Sequence, residues 1–166
     1  MRKLYKDQRG FTLVEILVVL VLIGIITGGI TAAIMQVLTI NTRASNHMIA
    51  VRQVQQAGKE VSKDALQAQP NKIDANPPGG DFLVLNWTNW EGLENMVVYT
   101  IMDEIDSNAL QRSHNVTGVR AIAQYIDPAQ TSCSWNNVTT VLNFMVTATV
   151  GTESETRIYE IEPRPD

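Results

Sequence analysis

Glu15 is the residue in this chain whose position most needs a chemical reason. It stands in the stretch QRGFTLVEILVVLVLIGIITGG, residues 8–29, near the start of a long apolar run. A carboxylate placed in hydrocarbon costs about 3 kcal/mol even on lenient insertion scales, so such a group usually marks function rather than packing. The alternative is a carboxylate at headgroup level that is simply solvated. Gly24, Gly28 and Ala32 follow four residues apart. That spacing makes a small-residue face on which a second helix can approach closely.

The rest of the chain offers little for catalysis. His47 and His114 are far apart, and neither sits in a ligand-spaced cluster. The run Asp103 to Asp106 has oxygens for calcium but lacks the pattern of a dedicated loop, so it reads as a solvated turn. Ser132 and Ser134 flank Cys133 with no base nearby, which leaves no activated nucleophile. There is no glycine-rich phosphate loop and no metal-spaced Cys/His set, so no cofactor is expected. Cys133 is the single cysteine, which excludes an intrachain disulfide and suits a buried thiol. Three triplets starting at Asn86, Asn115 and Asn137 fit the N-glycosylation pattern and read as polar loop or strand residues. Trp87, Trp90 and Trp135 read as core or rim packing for at least two of the three.

The elements that must carry these residues begin with a basic stub. Residues 1–10 hold Arg2, Lys3, Lys6 and Arg9 against one acid, Asp7. Twenty positions from Ile16 to Met35 carry no charge. At about 1.5 Å per residue they span roughly 30 Å, the thickness of a bilayer's hydrocarbon core. Positive charge beside a first membrane helix keeps that end in the cytoplasm and the remainder outside. An ordinary signal peptide is disfavoured by the length of the run and by the lack of a small-x-small cleavage site after it. The formal charge is -4 overall. Without the first ten residues, bases fall from 13 to 9 and acids from 17 to 16, leaving -7. Nucleic acid is a poor partner for so acidic a domain, although Arg52, Lys59 and Lys63 lie on roughly one helical face.

Residues 11–40 are an apolar helix, and 41–69 continue it with amphipathic spacing. Met48, Val51, Val54, Val61 and Ala65 form one stripe with Gly58, while Gln55, Gln56, Lys59, Lys63 and Asp64 take other faces. Pro70 ends the helix. A turn-rich connector, PNKIDANPPGGD, leads to strand patterns. FLVLNWTNW places Leu83, Leu85 and Trp87 on one face, and MVVYTIM is apolar on both, as in a strand covered on both sides. GVRAIAQYI, TTVLNFMVTATV and TRIYEIE follow, with GTESE as a hairpin loop and Asp127 to Asn137 as a long exposed loop. The expected class is α+β. A long N-terminal helix, half membrane and half amphipathic, packs on a mostly antiparallel β-sheet head at 70–166, a lollipop.

RGFTLVEILVVLVLIG resembles the processing signal of type IV pilins and type II secretion pseudopilins. The resemblance implies cleavage after Gly10 by a prepilin peptidase and N-methylation of the new terminus, Phe11. Residues 1–10 are then the leader, 11–40 the transmembrane and polymerisation helix, and Glu15 the acid that serves assembly. Cleavage frees a cationic amine at Phe11, about 6 Å from Glu15 along the helix. In a bundle of helices the Glu15 carboxylate of one subunit can meet the amine of an offset neighbour, which sets register. Gly28 and Gly29 stand where major pilins often have proline, with Ala32 and Ala33 beyond them.

Within that family the amphipathic segment, MVVYTI and NALQRS resemble J-type minor pseudopilins and W-type minor pilins. The matching residues are Arg52, Gln55, Asp64, Ala68, Val98, Tyr99, Leu110 and Arg112. What this implies is a non-enzymatic subunit of a secretion pseudopilus or pilus, working at assembly initiation or at the tip. Its partners would be other pilins, the prepilin peptidase, the membrane and an inner-membrane assembly platform, with the head outside the cytoplasmic membrane. The rival expectations are a DNA-uptake pilin and a membrane-anchored receptor or enzyme that uses the same signal.

Overall fold

The computed structural model describes residues 10–103, 107–115 and 117–164. The leader up to Arg9, and Glu104 to Asp106 of the acidic run, lie outside the described residues. One helix, α1 (Leu13–Ala65), is followed by β1 (Ile73–Ala75), β2 (Leu83–Thr88), β3 (Glu94–Asp103) and β4 (Asn108–His114). Then come β5 (Thr117–Ala123), β6 (Ser132–Asn136), β7 (Val141–Val150) and β8 (Glu153–Ile161). The chain divides into two compact units, Met1–Thr42 and Arg43–Asp166.

In the first unit every described side chain is exposed. The helix there is apolar all round, and α1 is the helix among the described residues long and apolar enough to cross a membrane. Its threonines do not offend such a setting. Thr31, Thr39 and Thr42 donate their hydroxyls to the carbonyls of Thr27, Met35 and Leu38 at 2.9, 2.9 and 3.0 Å. Each of these three hydroxyls is thus satisfied within the helix itself.

The second unit is where α1 becomes amphipathic. Its buried face is Ala50, Val54, Ala57, Gly58, Val61, Asp64 and Ala65. Met48, expected on this stripe, is 66% exposed, and Val51 is half-buried. The true stripe is set by small residues that let sheets come close. Gly58 is the clearest case: a Cβ there would run into the ring of Tyr159, whose hydroxyl donates to the Val54 carbonyl at 3.2 Å. Gly58→Ala is therefore expected to lower stability by about 2 kcal/mol, the usual cost of overpacking. A denaturation midpoint that does not move would mean Tyr159 can swing aside.

The helix stops at Ala65, before Pro70. The amides of Gln67 and Ala68 turn back to the Asp64 carbonyl, and the Gln69 amide donates to Asn86 O of β2 at 3.0 Å. The chain is captured by a strand before proline can break the helix.

Two antiparallel sheets form instead of the single sheet expected. One is a meander in the order β1-β2-β3-β4-β5, and the other is β6-β7-β8. They are joined where Ile126 bridges to Ala148 and where Asp127 N and Thr149 N bond to Thr147 O and Tyr125 O. Leu142, Phe144, Val146, Ala148 and Val150 all face inward, as their alternation predicts. Phe144 meets Phe82 edge-on at 6.0 Å and stacks on Tyr159 at 6.1 Å.

Four local expectations are corrected, and one strand was not foreseen. β3 is covered on one face only: Val97 and Tyr99 are buried, whereas Val98 is half-buried and Met102 is 49% exposed. The loop assigned to Asp127 to Asn137 contains β6, and the connector after Pro70 contains β1, both short strands that pair with the next strand in the chain. NALQRSH forms β4, whose polar residues hide its strand character. The β7–β8 turn is only Gly151 and Thr152, since Val150 pairs with Glu153. Gly151 takes a φ of 61°, and a side chain there would strike Asn46.

Candidate functional site

The start of α1 is built by Thr12. Its hydroxyl accepts a hydrogen bond from Glu15 N at 3.2 Å, and its carbonyl accepts from Glu15 N and Ile16 N at 3.1 and 3.3 Å. Thr12 followed three residues later by Glu15 is the spacing of a capping box. Glu15 therefore sits in the first helical turn, where the helix dipole favours negative charge. This local role is additional to the one expected from the sequence, and the T-x-x-E spacing announces it. Gly10 is exposed with nothing within 4 Å of a notional Cβ, and Phe11 is 79% exposed. Phe11 lies two residues before α1 and four before Glu15. A peptide bond so placed is open to an enzyme.

Gly24, Gly28 and Ala32 are likewise exposed, and a side chain at either glycine would meet nothing. Within one chain this face has no occupant among the described residues.

A second polar constellation lies where α1 meets β3 and β4. Asp64 is 2% exposed. Tyr99 donates its hydroxyl to Asp64 Oδ2 at 2.6 Å. Arg112 donates Nε to the same oxygen at 2.6 Å and Nη2 to Oδ1 at 3.2 Å, a two-pronged guanidinium–carboxylate pair. Burial, reinforced by the Asp64 carboxylate, holds the Tyr99 phenol well above its ordinary range. The hydrogen bond to Asp64 raises the Arg112 guanidinium too. Such a closed triad fastens a helix to a sheet and has no free base to offer catalysis. Sequence reasoning placed Asp64 on a polar face. Yet Ala57, Val61, Asp64 and Ala68 recur at steps of three and four, so the apolar stripe runs through it. Of the other residues in the J-type resemblance, Leu110 and Ala68 are buried, Val98 is half-buried, and Arg52 and Gln55 are exposed.

Cys133 is buried, its thiol donating to Phe82 O at 2.9 Å. Burial pushes the thiol up to about 11 from 9.0. The sign follows from linkage: between those values the unfolded chain releases this proton while the folded chain keeps it, so stability falls as pH rises through the window. Cys133→Ala is expected to flatten that part of an alkaline stability titration. An unchanged slope would place the proton release elsewhere.

His47 is exposed on α1, and His114 on β4 stacks on Trp87 at 6.1 Å. Among the described residues, no group of three or more His, Cys, Asp or Glu is placed to hold a metal. Trp87 and Trp135 pack against the core, while Trp90 is 91% exposed. Asn86 and Asn115 both use their amides within the fold, toward Lys72 O and Met96 N respectively.

Residues 5–31 match the family described as the prokaryotic N-terminal methylation motif. The match takes in Gly10, Phe11, Glu15, Gly24 and Gly28. It is a type IV pilin-like prepilin signal, and such a signal implies processing by a prepilin peptidase and assembly with other pilins in a membrane. No curated protein and no solved structure matches the chain.

Proposed function

We propose, from that prepilin signal, that the protein is a minor pilin-like structural subunit of a type II secretion pseudopilus or a type IV pilus. The peptidase cuts between Gly10 and Phe11, and Phe11 is N-methylated. The mature chain rests in the cytoplasmic membrane with its head outside, then joins a filament through α1. It catalyses nothing; its work is mechanical and templating.

The observation that carries this reading is the pairing of a methylation motif with a helical stretch whose described side chains are all exposed and almost all apolar. A surface of that kind is stable only in lipid or against other helices. The placement of Glu15 in the first turn adds to it, because the carboxylate then lies within reach of an incoming terminal amine from a neighbour. The contact among Asp64, Tyr99 and Arg112 supports the J-type or W-type subtype, since residues matched loosely in sequence meet in one place.

Mass spectrometry of the native N-terminus tests the reading directly. A methylated Phe11 terminus is expected, and an intact Met1 would refute it. Gly10→Trp is expected to leave unprocessed precursor in the membrane, because a bulky residue beside the scissile bond cannot enter a site shaped for glycine. Normal maturation of that variant would contradict the cleavage assignment.

A further inference from the structure

The second unit carries a cleft of about 830 Å³ that the filament reading does not use. Its lining includes Lys59 and Lys63 of α1, Gln67 just past its end, Trp87 near the end of β2, Trp90 on the β2–β3 turn, and Arg164 beyond β8. Among the described residues no carboxylate lines it, in a chain that is -7 outside its first ten residues, with 9 bases against 16 acids. Lys72, Arg112, Arg120 and Arg157 elsewhere in the unit are each paired with an acid. Lys59, Lys63 and Arg164 form no ion pair with a described residue. Three cations that no described acid pairs with therefore line one hollow.

Trp90 stands beside them, 91% exposed on a turn that is held stiffly. Asn89 Oδ1 accepts from Glu91 N and Leu93 N at 3.0 and 2.9 Å, and Asn89 N donates to Leu93 O at 2.9 Å. An exposed indole on a rigid turn is a contact residue prepared in advance, with little ordering left to lose on binding.

We propose that this cleft binds an acidic, extended segment of a partner protein, with carboxylates at alternate positions and an apolar side chain against Trp90. The spacing supports an extended chain. Lys59 and Lys63 are one helical turn apart, about 6 Å along the axis. Alternate side chains on one face of an extended segment are about 6.7 Å apart, so two neighbouring carboxylates reach two neighbouring ammonium groups. Arg164 offers a planar fork to a third. A second copy of this chain is disfavoured, because two acidic heads repel each other. Nucleic acid is disfavoured for a related reason: its charges extend past the cleft into an acidic surface, whereas a short segment meets the cleft alone. The inference stands on the cleft and not on N-terminal processing.

The test uses the full chain in a zwitterionic detergent and a fluorescein-labelled peptide alternating Glu and Ala and ending in Phe. Fluorescence polarisation is expected to show saturable binding that weakens by about tenfold between low salt and physiological salt. The double substitution Lys59→Gln with Lys63→Gln is expected to weaken it about tenfold. Trp90→Ala is expected to weaken it about fivefold, with helix content by circular dichroism unchanged. The proposal is overturned by absent binding, or by equal affinity for a peptide with Gln in place of Glu. It is equally overturned if the double variant binds as well as the parent, or if an oligothymidylate of equal charge displaces the peptide more effectively than the peptide itself. Self-association of the parent that the double variant loses would assign the cleft to a second copy instead.

Discussion

Replacing Glu15 with Val is expected to remove the protein from filaments while leaving α1 in the membrane and the head folded. Two roles for this carboxylate must be separated. As a helix-capping acid it contributes about 0.5–1 kcal/mol, through the first-turn dipole and the box with Thr12. As the proposed partner of a neighbour's terminal amine it would contribute more. Two unit charges about 4 Å apart attract by about 4 kcal/mol at an effective dielectric constant near 20. Each 1.4 kcal/mol is a factor of ten in an equilibrium, so losing the pair is expected to lower incorporation by roughly a hundredfold or more. Losing the cap alone costs less than tenfold. Glu15→Gln divides the two, because it keeps a side chain able to close the capping box and removes the charge. Both variants are expected to be retained in membranes and missing from sheared filaments. If Glu15→Gln assembles normally, capping is the whole role and the register argument fails.

Asp64→Ala is expected to cost about 3 kcal/mol of head stability. The reason is asymmetry. The triad is closed, with Tyr99 and Arg112 both donating to one carboxylate. Removing the acceptor leaves the buried Tyr99 hydroxyl and the half-buried Arg112 guanidinium without it. Tyr99→Phe removes a single donor while its acceptor keeps Arg112, so about 1.5 kcal/mol is expected. A double-mutant cycle between Asp64 and Arg112 measured in urea reads the coupling itself. Additive effects would mean the pair is incidental. Strong coupling would mean that α1 is held to β3 and β4 at this point.

The N-terminal region was largely legible because its logic is one-dimensional. A charge-free run of twenty residues, Ile16 to Met35, needs no partner to declare a helix that avoids water. Gly10, Phe11, Glu15, Gly24 and Gly28 all lie within the matched methylation motif, which is defined by residue order, so their spacing carries the information. The alternation from Leu142 to Val150 was equally direct, since one covered face imposes a period of two.

Other features became visible only in three dimensions. β1, β4 and β6 have weak local patterns and exist because the adjoining strands β2, β3 and β7 supply their hydrogen bonds. Asp64 looks like any surface acid until Tyr99 and Arg112, 35 and 48 residues away, close around it. Gly58 looks like a helix weakness until Tyr159 lies against it. The cleft that gathers Lys59, Lys63, Trp90 and Arg164 has no trace in any window of the chain. Local periodicity reports burial on a single element, and so the amino-acid order alone settled the anchor helix and its signal. Partners distant in the chain meet only when the backbone folds, and so packing alone settled what the head's polar residues touch.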